Sequence, residues 1–174
     1  MSAIVTRAEA SFPLHGESSA QLDATVEQAF AYLDDFKALS AHMEKRSAKM
    51  MGSRMSITTD ALGGRAVGST VRMEGRVLGM RLSLEEVVTE RLPPSRKAWQ
   101  TVDARLLVIG NYRLGFEISP RGDSSTVRVV IDYDLPAGWP ARWLGRLLGG
   151  YYAQWCTQKM AQDAARHFRD LRGA

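Results

Sequence analysis

The chain has almost no cysteine, few histidines and no long apolar run. Its single cysteine, Cys156, cannot form an intramolecular disulfide, which fits a reducing compartment and makes the cytoplasm the expected location. The three histidines, His15, His42 and His167, have neither HExxH spacing nor a cysteine partner at metal-ligand spacing, so no metal site is expected. The longest aliphatic run, residues 106–109, is far short of the roughly 18 apolar residues of a membrane span, and residues 1–11, with Arg7 and Glu9, lack the core of a signal peptide. A soluble protein is expected. Gly63-Gly64 and Gly149-Gly150 belong to neither a GxGxxG nor a GxxxxGK pattern, so no nucleotide or other cofactor is indicated. Charge of one sign is not concentrated either. The net +4 is spread over the chain, densest around Lys45, Arg46, Arg54, Arg65 and Arg72, and reads as a solvated basic face rather than a nucleic-acid surface.

What is present is enough apolar residue for a core. At 174 residues and 45% hydrophobic content, the chain is expected to fold as one domain over residues 1–174, with residues 1–10 as a loose extension. A first strand is expected within residues 8–22, with Gly16 marking a bulge. In ATVEQAFAYLDDF, beginning at Ala24, the residues Val26, Ala29, Phe30 and Leu33 fall on one helical face, and Thr25 with Gln28 has the spacing of a capping box. A second short helix would use Phe36, Leu39 and Met43.

From Ala48 the period changes to two. Met51, Met55 and Ile57 share one parity; after a turn at residues 62–64, Val71, Met73, Gly75 and Val77 alternate with charged residues. A reversal at Gly79 leads into Leu82, Leu84, Glu86 and Val88, which end at Pro93-Pro94. Trp99, Thr101 and Asp103 share the next inward parity, followed by Tyr112, Leu114, Phe116 and Ile118, a turn within residues 119–124, and Val127, Val129, Ile131 and Tyr133. These make about seven strands with short, hence antiparallel, connections. Residues 139–172 then read as a long helix in which Gly149-Gly150 permits a kink. Trp143, Leu144, Leu147 and Leu148 are expected to begin its packed stripe, continued by Tyr152, Trp155, Cys156, Met160, Ala164, Phe168 and Leu171. Cys156 on that stripe reads as a small buried hydrophobe, and His167 falls on the outer side.

The order of elements and the wording of the chain resemble the polyketide cyclase/dehydrase and lipid-transport family, in the superfamily of START domains and the birch pollen allergen. The resemblance rests on ATVEQAFAYLDDF, the Val-Gly-Ser-Thr-Val-Arg-Met stretch from Val67, the turn and strand from Gly122 to Val129, and the Leu135-Pro136 step; it covers about residues 14–168. It implies an α+β helix-grip fold: a curved antiparallel sheet wrapped around a long C-terminal helix, with two short helices after the first strand. It also implies a cavity for an apolar ligand between sheet and helix.

Inward parity then nominates the lining. Met73, Leu84, Trp99, Leu114, Phe116, Trp155 and Met160 would supply apolar surface, while Glu86, Thr101, Tyr112, Tyr133 and Tyr152 would supply polar groups that orient a ligand. A one-residue bulge would turn Glu86 outward, and Asp103 near a strand end reads as a rim residue. The leading expectation is binding of a hydrophobic small molecule or lipid, for transport or sequestration. The alternatives are an aromatase/cyclase- or dehydratase-type enzyme using Glu86, Asp103 or Tyr112, and an interaction module. In the last, Trp139, Trp143 and Leu147 with Arg142 and Arg146 would touch a membrane or a partner.

Overall fold

The computed structural model describes residues 12–36, 55–77, 80–106 and 108–173. Strand β1 (Leu14–Leu22) leads into helix α1 (Val26–Asp34), and six strands follow: β2 (Met55–Thr59), β3 (Thr70–Val77), β4 (Met80–Leu92), β5 (Arg96–Arg105), β6 (Tyr112–Arg121) and β7 (Ser124–Tyr133). Helix α2 (Trp139–Arg172) closes the described chain. The second short helix expected around Leu39 and Met43, the start of the next strand near Met51, and the Gly79 reversal lie outside the described residues.

From β2 to β7 each strand pairs antiparallel with the next. The sheet has the order β1-β7-β6-β5-β4-β3-β2, the first strand returning to pair with the last. The β6–β7 turn is tighter than the sequence suggested, because Gly122 takes a φ of 60° and lets the ladder continue to Arg121 opposite Ser124. The α1 capping box forms as expected: Thr25 Oγ1 accepts from Gln28 N–H, and Gln28 Oε1 accepts from Thr25 N–H at 3.0 Å.

Gly16 is not a bulge. The β1–β7 register runs unbroken from Leu14–Tyr133 to Leu22–Ser125, and a Cβ on Gly16 would lie 3.4 Å from Ala153 Cβ. The missing side chain lets α2 approach the sheet closely. This approach decides which face of the helix is buried. Gly145, Gly149, Ala153, Thr157, Ala161, Ala164 and Phe168 are buried, while Trp143, Leu144, Leu147 and Leu148 are exposed. The expected packed stripe is therefore on the wrong side at its start, because large residues do not fit where helix and sheet nearly touch. The helix also runs through Gly149-Gly150 without interruption.

A methyl on Gly145 would sit 2.7 Å from Pro136 Cδ and 2.9 Å from the Val108 carbonyl oxygen. Gly145→Ala is therefore expected to lower stability by about 1–2 kcal/mol in urea unfolding, although alanine favours an isolated helix by up to about 1 kcal/mol. A stabilised variant would refute this account of the contact.

The core falls into two parts along α2. One joins α1 and the last turns of α2 to the sheet through Leu22, Phe30, Leu33, Phe36, Trp99, Phe116, Val127, Val129 and Phe168. The other gathers Ile109, Tyr112, Ile131, Tyr133 and Ala153 nearer the start of α2. Leu84 and Leu114 pack against both. His167 does not face outward as expected: it is half-buried and stacks on Tyr32 of α1 with ring centroids 4.1 Å apart.

Candidate ligand-binding site

Glu86 sits on the inner face of β4 and is only 2% exposed. It stays inward because the bulge beside it falls on the other strand. Glu85 pairs with Asp103 and Glu86 with Thr101, so Val102 of β5 is the extra residue. Val102 and Asp103 are then both exposed, which places Asp103 outside although its parity matches Trp99 and Thr101. A second shift, at Thr89 of β4, returns the pairing to its first register.

Tyr112 is positioned from the backbone outward. The β5–β6 ladder stops at Gln100–Arg113, and beyond it Thr101 Oγ1 accepts from Tyr112 N–H at 3.0 Å. The Thr101 hydroxyl proton has two acceptors in reach, Asn111 Oδ1 at 3.2 Å and the Tyr112 carbonyl at 3.3 Å. Held there, Tyr112 donates its phenolic proton to Glu86 Oε1. Glu86 Oε2 is buried and makes no hydrogen bond of normal geometry among the described residues, although the Trp99 indole N–H lies near enough to the carboxyl to favour its charged form.

Burial pushes the Glu86 carboxyl up to about 7, and the Tyr112 hydroxyl and Trp99 indole, which favour its charged form, offset only part of that. The Tyr112 hydroxyl is pushed well above its ordinary value by burial and then by Glu86. Tyr152 and Cys156 of α2 are near enough to act on Tyr112 electrostatically, and burial raises both of them. Cys156 thus stays a thiol rather than a nucleophilic thiolate. At neutral pH Glu86 is balanced between donor and acceptor, whereas the tyrosines keep their protons.

Among the residues nominated from sequence, Glu86, Trp99, Thr101 and Tyr112 meet in one group, with Tyr152 close by. Met73 and Phe116 are buried in the core part that contains α1, and Tyr133 lies against Gly149 of α2. Leu84, Leu114, Tyr152 and Met160 are half-buried, and Trp155 is 48% exposed, paired with Tyr152 at a 6.0 Å ring separation. These residues leave apolar surface incompletely covered on the side of α2 away from β1. Farther toward the start of α2 lies an open cleft of about 900 Å³, lined by Leu14, Leu106, Leu135, Pro136 and three arginines, Arg81, Arg105 and Arg142, among others.

Sequence reasoning missed a second buried polar group. Lys97 is fully buried, with its Nζ 2.6 Å from Asp34 Oδ1 and 3.2 Å from the Asp34 carbonyl at the end of α1, while Arg91 grips the same carboxylate at 2.8 Å. The signal was present: Lys97 shares the parity of Trp99 and Thr101. Among the described residues no group of three or more His, Cys, Asp or Glu side chains could hold a metal ion.

The polyketide cyclase/dehydrase and lipid-transport family model matches residues 13–165, and the chain belongs to that family. No curated protein matches it. Solved structures share its fold at low identity, and the architecture is the helix-grip fold. Protein CV1439 from Chromobacterium violaceum is 16% identical with a TM-score of 0.57, covering 88% of this chain and 98% of its own. TTHA0849 from Thermus thermophilus is 12% identical with a TM-score of 0.59, covering 92% and 100%. Ara h 8.0201 is 9% identical with a TM-score of 0.57, covering 90% and 98%.

Proposed function

We propose that the protein binds an apolar small molecule or lipid between α2 and the inner face of β3–β6, with Glu86 taking the ligand's one hydroxyl or carbonyl group. The observation that carries this reading is the unpartnered, buried Oε2 of Glu86. An unmade hydrogen bond at such an atom costs about 1–3 kcal/mol, which a ligand's polar group would recover. Leu84, Leu114, Tyr152 and Met160, all half-buried, would supply the apolar contact, at roughly 25 cal/mol per Å² covered.

Thermal shift and calorimetry with dodecanol, 1-naphthol and hydrocarbons of matching size test the reading. The oxygenated probes are expected to bind more tightly than the hydrocarbons, and Glu86→Leu to abolish that preference with a loss of about tenfold. Equal binding of both classes, or none, would remove it.

The same carboxyl supports one other reading. A group titrating near 7 inside an apolar site suits general acid–base catalysis, as cyclisation or dehydration of a poly-ketone requires. Turnover lost in Glu86→Gln while the ligand still binds would favour the enzyme over the carrier.

A further inference from the structure

The start of α2 carries large apolar residues on the side that faces away from the sheet. Trp139, Trp143, Leu147 and Tyr151 follow one another at intervals of four and are between 59% and 84% exposed. At about 100° per residue they occupy the arc opposite Gly145 and Gly149, which face the sheet. Isolated exposed apolar residues need no explanation, but a contiguous row of this size marks a surface that meets something.

The charges around the row say what it meets. From Trp139 to Gln162 the helix has no Asp or Glu, and Arg142 and Arg146 flank the row with no ion-pair partner among the described residues. Many other described arginines do have partners: Arg65, Arg72, Arg91, Arg96, Arg113 and Arg128 each pair with a carboxylate. Arg81 and Arg105, which line the adjoining cleft with Arg142, have no ion-pair partner among the described residues either. The cleft's one acidic lining residue, Asp134, has its Oδ1 buried.

We infer that this end of the molecule docks on an anionic lipid bilayer, the Trp–Leu–Tyr row entering the interface and the unpaired arginines meeting the headgroup phosphates. Tryptophan and tyrosine prefer that boundary because their rings are apolar at one end and polar at the other. Each arginine held near an anionic surface contributes about 1 kcal/mol, or roughly fivefold in partitioning. A second copy of the chain fits less well. A two-fold interface would bring Arg142 and Arg146 toward their own counterparts, with no acidic residue along this stretch of helix to neutralise them.

Flotation of the full chain with vesicles of phosphatidylcholine, with and without phosphatidylglycerol, tests the inference, alongside quenching of tryptophan fluorescence by lipids brominated in the chain. The protein is expected to float with the anionic vesicles and to be quenched by them. W143S/L147S should reduce partitioning by about tenfold or more, and R142E/R146E should reduce it on anionic vesicles with little change on phosphatidylcholine alone. All four positions are exposed, and circular dichroism verifies that each variant is folded. Glu86→Leu should float like the parent protein; if it does not, association reflects lipid uptake at the carboxyl site and docking is refuted. Absence of flotation also refutes it, as does a solution dimer that W143S/L147S dissolves without any vesicle binding.

Discussion

Replacing Asp34 by alanine is expected to cost about 3–5 kcal/mol in urea unfolding. The loss is not that of one ion pair. It comes from stranding the Lys97 ammonium, which has no exposure to water and would keep only the Asp34 carbonyl as a hydrogen-bond partner, beside the face of the Phe36 ring. Burial alone would raise the Asp34 carboxyl, but hydrogen bonds from Arg91 and Lys97 outweigh it and hold the group below its usual value, while burial lowers Lys97. Asp34 therefore contributes stability above about pH 3.8 that is lost as the pH falls further. The double variant D34A/K97M should recover most of the loss, because an apolar chain of similar length fills the same space without a charge. A loss below about 1 kcal/mol for D34A would show that water reaches Lys97 and that the pair is not buried in solution.

Glu86 has the opposite sign. Its folded-state carboxyl titrates near 7 against 4.5 in the unfolded chain, so the folded state holds the proton more tightly and stability falls as pH rises from 4.5 to about 7. The penalty is complete above 7 and amounts to roughly 3 kcal/mol, since each tenfold in proton affinity is about 1.4 kcal/mol. Glu86→Gln is expected to remove this dependence and to be more stable than the parent protein at about pH 8, with little difference near the unfolded-chain value of 4.5. His15, raised by its hydrogen bond to Asp132, adds a loss in the same direction as pH rises above 6.5, so the Glu86 part is the difference between the two proteins at each pH. Tyr112, Tyr152 and Cys156, the other titratable groups nearby, are all raised and stay protonated over this range. Parallel pH curves for the two proteins would mean that Glu86 is ionised and solvated, and the ligand reading would lose its basis.

Much of the fold is legible in the sequence because period and face coincide. Val71 and Met73 in β3, Phe116 and Ile118 in β6, and Val127, Val129 and Ile131 in β7 each alternate with residues that reach solvent, so parity alone sets the inner face. Parity fails at Asp103 because the bulge at Val102 adds a residue without any local mark. It fails differently on α2. The eye follows Trp143 and Leu147, yet the quieter series of Gly145, Gly149, Ala153 and Thr157, four apart, is what a tightly seated helix requires. Asp34 and Lys97 look like surface charges because each is unremarkable in its own segment; only the packing of α1 on the sheet brings them within 2.6 Å. The site is legible to the same extent. Glu86, Thr101 and Tyr112 follow from parity, but the unpartnered Oε2 depends on which groups the bulge leaves beside it.

The two register shifts in the β4–β5 hairpin bear on how relatives of this chain are compared. Thr89 and Val102 are each exposed beside a neighbour that also points outward, so a chain lacking either residue would keep its inward set, Glu86 included, in place. Length can thus vary in the middle of a strand, next to the buried carboxyl, and not only in loops. A one-residue gap at either position in an alignment would mark a bulge lost or gained, and the residues on both sides of it would still correspond.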